Sequence, residues 1–213
     1  VTQDPIEFVS KFVPELFNSA MVELKALADQ GDADAKQRYA DLLKHSGALR
    51  IVLEGDDGAD LYLVIKDGSM HVTDKSPGMD VMMALAAPLE ALALGLEELA
   101  DDIRTVVPKL KKRLTRLRPA EAMSMFQRVK AEPLHFHHVL KDTPDFDEVR
   151  IKIAVGSGTP PQKPTFTVTV DYDTFEELRA GKVKPQAMMS KLQMSGDFSR
   201  AMQLGMEMMQ QRR

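Results

Sequence analysis

The stretch Phe166-Thr-Val-Thr-Val-Asp-Tyr-Asp-Thr-Phe-Glu-Glu-Leu-Arg-Ala-Gly181-Lys-Val-Lys-Pro185-Gln-Ala-Met-Met-Ser-Lys-Leu-Gln-Met-Ser-Gly196-Asp-Phe198 decides the fold. Phe166, Val168 and Val170 alternate with Thr167 and Thr169, the period-two pattern of a half-buried strand. Asp173, with Glu176 three residues on, reads as a helix cap, and Gly181 reads as its stop. Lys184-Pro185 opens a short helix through Met189, since Pro suits the first helical position. Leu192 and Met194 mark a last strand. Asp197 caps a final helix on which Phe198, Ala201, Met202, Gly205 and Met209 share one face.

Working backwards, the strand chemistry persists. Val149, Ile151, Ile153 and Val155 face one way, with Arg150 and Lys152 opposite. Leu134, Phe136, His138 and Leu140 alternate before the turn Thr143-Pro144-Asp145. The loop Gly156-Ser-Gly-Thr-Pro-Pro161 is too proline-rich to cradle a phosphate. Pro119 and Pro133 bracket a helix carrying Met123, Phe126 and Val129. Before it, Leu85, Leu89, Leu92, Leu96, Leu99, Ile103, Val106 and Leu110 form a heptad-like stripe. Pro88 and Pro108 punctuate that stripe, which favours two or three helices over one rod.

At the start of the chain, Asp4, Pro5 and Glu7 announce a first helix, which Pro14 is expected to split or kink. Gly31 ends it, Asp32 caps a second helix, and Gly47 closes that one. Leu49, Ile51 and Leu53 alternate as a strand. Gly55-Asp-Asp-Gly58 turns into Leu61–Ile65, and Asp67-Gly68 is a tight-hairpin signal before Met70-His-Val72. Strands early and late around a helical middle describe an α+β fold with a mostly antiparallel sheet flanked by helices. Residues 47–72 and 133–170 echo one another as strand, acidic turn, strand.

Length and charge narrow the function. The chain has 213 residues, enough to bury a core without staples. It contains no Cys, which excludes disulfides, thiolate metal sites and a cysteine nucleophile. A formal net charge of −4 argues against bulk attraction to nucleic acid or anionic lipid. No apolar run reaches the roughly 18 residues of a membrane helix. No signal peptide is visible, so a cytoplasmic location is expected.

The stretch 166–198 resembles the sterol-carrier-protein type-2 domain, in which a strand, a Gly-ended helix, a Pro-initiated helix, a strand closing in Gly-Asp and an apolar last helix follow in that order. Leu61-Tyr-Leu-Val-Ile-Lys-Asp-Gly68-Ser-Met-His-Val72 is similar to that family's central hairpin. The resemblance spans roughly 47–75 and 147–210. It implies a single elaborated domain over 1–213, with N-terminal helices at 1–46 and a helical segment at 77–132 that is an insertion or part of a degenerate duplication. It also implies an apolar tunnel for sterols, fatty acids or fatty acyl thioesters, without metal or cofactor. Ser190 stands before Lys191 where the family often has Gly.

Seven of the 14 Met lie at 188, 189, 194, 202, 206, 208 and 209. Flexible thioethers suit a wall that accepts varied apolar ligands, although core filling gives the same pattern. With the resemblance, Phe175, Leu178, Met188, Met189, Met194, Phe198, Met202 and Met206 are the expected ligand wall. His135 and His137 would share a strand face at a spacing compatible with two metal ligands, but no third ligand is identifiable, and a polar strand face with one His turned inward is preferred. Lys109, Lys111, Lys112, Arg113, Arg116 and Arg118 form a basic patch with Leu110, Leu114 and Leu117 interleaved. Such a helix suits transient contact with an anionic membrane surface or with phosphate, but a solvated face diluted by Glu97, Glu98, Asp101 and Asp102 is the preferred reading. There is no Gly-x-Ser-x-Gly, His-Glu-x-x-His or Walker pattern, and His71 near Asp74 reads as a surface pair. The expected activity is therefore non-catalytic lipid binding. The alternative is an interaction module with a filled core, homodimeric through helices over 85–117, or an accessory domain of a larger enzyme.

Overall fold

Two acidic caps set the N-terminal helices. The computed structural model describes residues 4–179, 182 and 190–211. Asp4 accepts from the backbone N–H of Ile6 (2.8 Å) and Glu7 (3.3 Å), starting α1 at Pro5–Glu7. Pro14 has no N–H to continue the ladder, and the chain passes it through a π-helical turn at Phe8–Phe12 before α2, Val13–Asp29. Gly31, at φ +96°, ends α2. Asp32 then caps α3, Ala33–Lys44, by accepting from the Ala35 N–H at 2.9 Å. Gly47 is not the stop of α3, as expected from the sequence; the helix ends at Lys44 and Gly47 begins β1.

The strands are β1 (Gly47–Glu54), β2 (Ala59–Lys66), β3 (Ser69–Thr73), β4 (Val81–Pro88), β5 (Leu134–Lys141), β6 (Glu148–Val155), β7 (Phe166–Asp171) and β8 (Gln193–Gly196). Asp67 and Gly68 both hold positive φ (51° and 75°), the requirement of a two-residue hairpin turn between β2 and β3. Helices α4 (Leu89–Leu114), α5 (Pro119–Lys130), α6 (Tyr172–Arg179) and α7 (Ser199–Gln211) complete the described elements.

The eight strands form one sheet in the order β3-β2-β1-β4-β6-β5-β7-β8. Only β1–β4 and β5–β7 are parallel; the other neighbours are antiparallel. The two parallel pairs reveal a repeated connectivity. Each half has an antiparallel hairpin, β1–β2 or β5–β6, followed by a strand parallel to the hairpin's first member and then at once by a helix. Between hairpin and parallel strand the first half inserts β3, whereas the second runs through 156–165, where Pro160, Pro161 and Pro164 withhold the donors a ladder needs.

Two expectations for the middle of the chain change here. Residues 81–88 form strand β4, not the start of a helix. From Leu89 the helix runs unbroken to Leu114 with Pro108 inside it, rather than as two or three pieces. The heptad-like stripe is spent partly within the fold. Leu89 and Leu92 pack on the core formed by Phe17, Met21, Leu24, Leu53, Leu61 and Leu63, and Leu96 is buried.

Candidate functional site

Register assigns the two faces of the sheet. Successive strand residues point to opposite sides, and paired residues point to the same side. Leu49, Ile51, Leu61, Leu63, Met70 and Val72 meet α2 and α3 in the N-terminal core. Following the pairing outwards through Leu85, Ile153 and Phe136, the same face carries Phe166, Val168 and Met194 in the C-terminal half. There Phe136 and Phe166 stack at 4.9 Å between centroids, 8° from parallel.

Burial differs along this face. Phe166 and Val170 are buried, whereas Phe136, Ile151, Ile153, Val168 and Met194 are only half-buried. Helix α6 packs against β5 and β7. Its cap is Asp171, not Asp173: the Asp171 carboxylate accepts from the Thr174 N–H at 2.8 Å, which holds this carboxyl below its ordinary range. Among the expected wall residues, Phe175, Leu178, Met194 and Phe198 are half-buried, and Met202 and Met206 are half exposed (50% and 51%). Met188 and Met189, with the Gly181 stop and the helix opened by Pro185, lie outside the described residues. Asp197 is expected to cap α7, but the first helical bond runs from the Met202 N–H to the Phe198 carbonyl; Asp197 lies one residue further out, accepting from the Ser199 N–H at 3.0 Å. Gly196 precedes it at φ +86°, where a Cβ would stand 2.5 Å from the Thr165 carbonyl oxygen.

The opposite face mixes buried valines (Val64, Val139) with a polar and small row. Arg50, Ala84, Ala154 and His135 form one registered row across β1, β4, β6 and β5. The loop 156–165 is fastened on this side at two points. Arg50 donates to the Gly158 carbonyl (2.9 Å), and His137 Nε2 lies 3.0 Å from the Pro161 carbonyl. Arg50 is itself held by a two-pronged pair with Asp60 (2.8 and 2.7 Å), which keeps the Asp60 carboxyl below its usual range. His135 and His137 do share a face, and His137 is the buried one at 3% exposure. Its ring nitrogen serves the loop, and among the described residues no group of three metal-ligating side chains gathers. His138 lies on the apolar face, where burial pushes its imidazole pKa down. His71 is exposed on β3.

The basic patch is divided. Lys111 pairs with Glu23 (2.6 Å) and Arg118 with Glu121 (2.9 Å). Lys109, Lys112, Arg113 and Arg116 are exposed and have no ion-pair partner among the described residues. Along α4, Asp102 precedes Lys112 by ten residues, hence about 15 Å of helix axis. Lys112, Arg116 and Arg118 line a cleft of about 520 Å³ together with Arg38, Asp32, Asp34, Leu27 and Thr115. Sequence reasoning missed Arg38, which reaches this place from α3 and donates to the carbonyl of Thr115, 77 positions away. No local pattern could announce that contact.

Among the described residues, no helix is long and apolar enough to cross a membrane. No curated protein and no solved structure matches the chain. Residues 110–208 match the SCP-2 sterol transfer family. The matched stretch runs from the end of α4 through α5, the β5–β6 hairpin, β7 and β8 into α7, and the β1–β3 meander lies before it. That match supports an SCP2-type domain over residues 110–208.

Proposed function

We propose that this chain binds and carries a hydrophobic lipid, a fatty acid, fatty acyl thioester or sterol-like molecule, on the apolar face of its C-terminal half, without catalysing a reaction. One observation carries the reading. Phe136, Ile151, Ile153, Val168 and Met194 stand in adjacent register on one sheet face, and all are only half-buried. A face of that composition gains from contact with an acyl chain, at about 0.8 kcal/mol per CH₂ removed from water. The match of residues 110–208 to a sterol-transfer family supports the same ligand class. Phe175, Leu178, Met188, Met189, Met194, Phe198, Met202 and Met206 are the proposed wall. The half-exposed Met202 and Met206 on α7 are where the C-terminal helix would open.

The repeated hairpin-then-parallel-strand connectivity favours a degenerate duplication over an insertion as the source of the extra length. The rival reading, a partner-binding seam along α4, is disfavoured because Leu89, Leu92 and Leu96 are already occupied in the fold. Native mass spectrometry of the purified protein and displacement of a fluorescent fatty acid test the lipid reading. Co-purified lipid or saturable displacement is expected. Neither being seen would remove it.

A further inference from the structure

We propose that the cleft between the start of α3 and the end of α4 is a phosphate-binding site, taking a phosphate or diphosphate group together with part of the molecule that bears it. Four cations line it: Arg38 from α3, Lys112 from the last turn of α4, and Arg116 and Arg118 from the segment leading to α5. Their like charges converge at a cost that a bound anion relieves. The two carboxylates in the cleft are already engaged. Asp32 accepts from the Ala35 N–H as the cap of α3, and Asp34 pairs with Arg38 at 3.1 Å.

That leaves an uneven set of donors. Arg38 is fixed from two sides, by Asp34 and by the Thr115 carbonyl, and its side chain is only 13% exposed, so its guanidinium is pre-positioned. Arg118 shares its charge with Glu121. Lys112 and Arg116 have no carboxylate partner among the described residues. Arginine's planar fork matches phosphate oxygens two at a time, and lysine adds a mobile point charge. The α3 end does not supply the attraction, since Asp32 and Asp34 occupy its first turn. The cations do. Balancing the negative end of α4 accounts for Lys111, which pairs with Glu23, but not for cations arriving from α3 and from beyond the helix. The volume, about 520 Å³, falls within the range of small-molecule sites and exceeds what a lone phosphate needs. The proposal does not rest on the lipid reading, because the apolar face and this cleft share none of the residues argued for either.

The phosphate could belong to a soluble ester or to a lipid headgroup, and the test separates them. Calorimetric titration with inorganic pyrophosphate at low salt reads the first. Co-sedimentation with phosphatidylcholine vesicles, with and without added phosphatidic acid, reads the second. The full chain is compared with Lys112→Glu/Arg116→Glu and with the charge-matched control Lys109→Glu/Arg113→Glu, whose residues are exposed and outside the cleft. Pyrophosphate binding that falls about tenfold or more in the first variant and little in the control supports a soluble-ester site, as expected when charge-assisted hydrogen bonds are lost. The same pattern with phosphatidic acid vesicles alone supports a headgroup site. No binding of either probe, or equal loss in both variants, overturns the proposal. All four positions are exposed, and circular dichroism of both variants verifies that the fold is kept.

Discussion

Ala84 on β4 and Ala154 on β6 are registered partners, both fully buried at 0% exposure, on the face over which the loop 156–165 is fastened. Buried small side chains between the loop's two anchors fit a loop that passes close over the row. Arg50 at one end of the row holds Gly158, and His137, beside the row's other end, meets Pro161. Ala154→Leu would force the loop outwards. It is expected to cost about 1–3 kcal/mol, the usual cost of overpacking. Urea unfolding should show a lower midpoint, with faster hydrogen exchange in residues 157–163 than in β1. An unchanged midpoint would mean that the loop does not bear on this row.

Asn18 of α2 completes an open sheet edge. Its side-chain amide donates to the Met70 carbonyl (2.9 Å), and its oxygen accepts from the Met70 N–H (2.8 Å). One side chain thereby satisfies both backbone groups of a β3 residue that has no strand beyond it, which is one way to protect an edge. Asn18→Ala leaves both groups unpaired next to the N-terminal core and is expected to cost about 1–3 kcal/mol. Amide exchange at Met70 should accelerate well beyond that at Leu63. Asn18→Asp keeps only the acceptor and should fall between.

What the sequence disclosed follows how each residue is used. Strands with one polar face, such as Glu148–Val155 and Phe166–Asp171, alternate and were legible. Strand β4 was not. It lies inside the sheet between β1 and β6 and is apolar on both faces, so Val81-Met-Met-Ala-Leu-Ala-Ala87 shows no alternation and is rich in good helix formers. Pro108 misled in the other direction: its missing donor and its ring favour a break, yet α4 runs through it from Leu89 to Leu114. Asp173 reads as a cap because Glu176 completes a motif, yet the ladder of β7 ends at Asp171 and the helix starts directly after it. The cleft formed by Arg38 and Lys112 depends on helix packing over long sequence distance, which no periodicity encodes.

His138 makes stability depend on pH. It sits on the apolar face between Ile151 and Val168, and burial holds its pKa below the unfolded value of about 6.5. Above that value both states keep the ring neutral and nothing is lost. As pH falls below it, the unfolded chain takes up the proton first, so stability declines until the depressed folded value is passed. Wild type should therefore lose part of its urea midpoint between pH 7 and pH 5, and His138→Leu should lose less. Equal pH slopes for the two proteins would show that the ring is not held neutral by its surroundings.

Val168 offers the sharpest discrimination between an occupied lipid site and a filled core. It lies between His138 and Met194 on the half-buried apolar face of β7. If that face is packed solely by the protein, Val168→Phe overfills it and should cost about 1–3 kcal/mol. If the face is kept for an acyl chain, the larger ring takes up ligand space instead. Stability of the lipid-free protein then stays within about 0.5 kcal/mol of wild type, as for a substitution away from tight packing. Displacement of a fluorescent fatty acid should at the same time weaken by about tenfold, corresponding to about 1.4 kcal/mol of lost contact. Delipidated protein must be used for the unfolding measurement, since a bound lipid would itself raise the midpoint by mass action. The double variant Met202→Gln/Met206→Gln serves as a companion. Both side chains are half exposed, so unfolding should be nearly unchanged, and fatty-acid uptake should slow if α7 is the element that opens. Lost stability with unaltered affinity in Val168→Phe would reverse the assignment and favour the filled core.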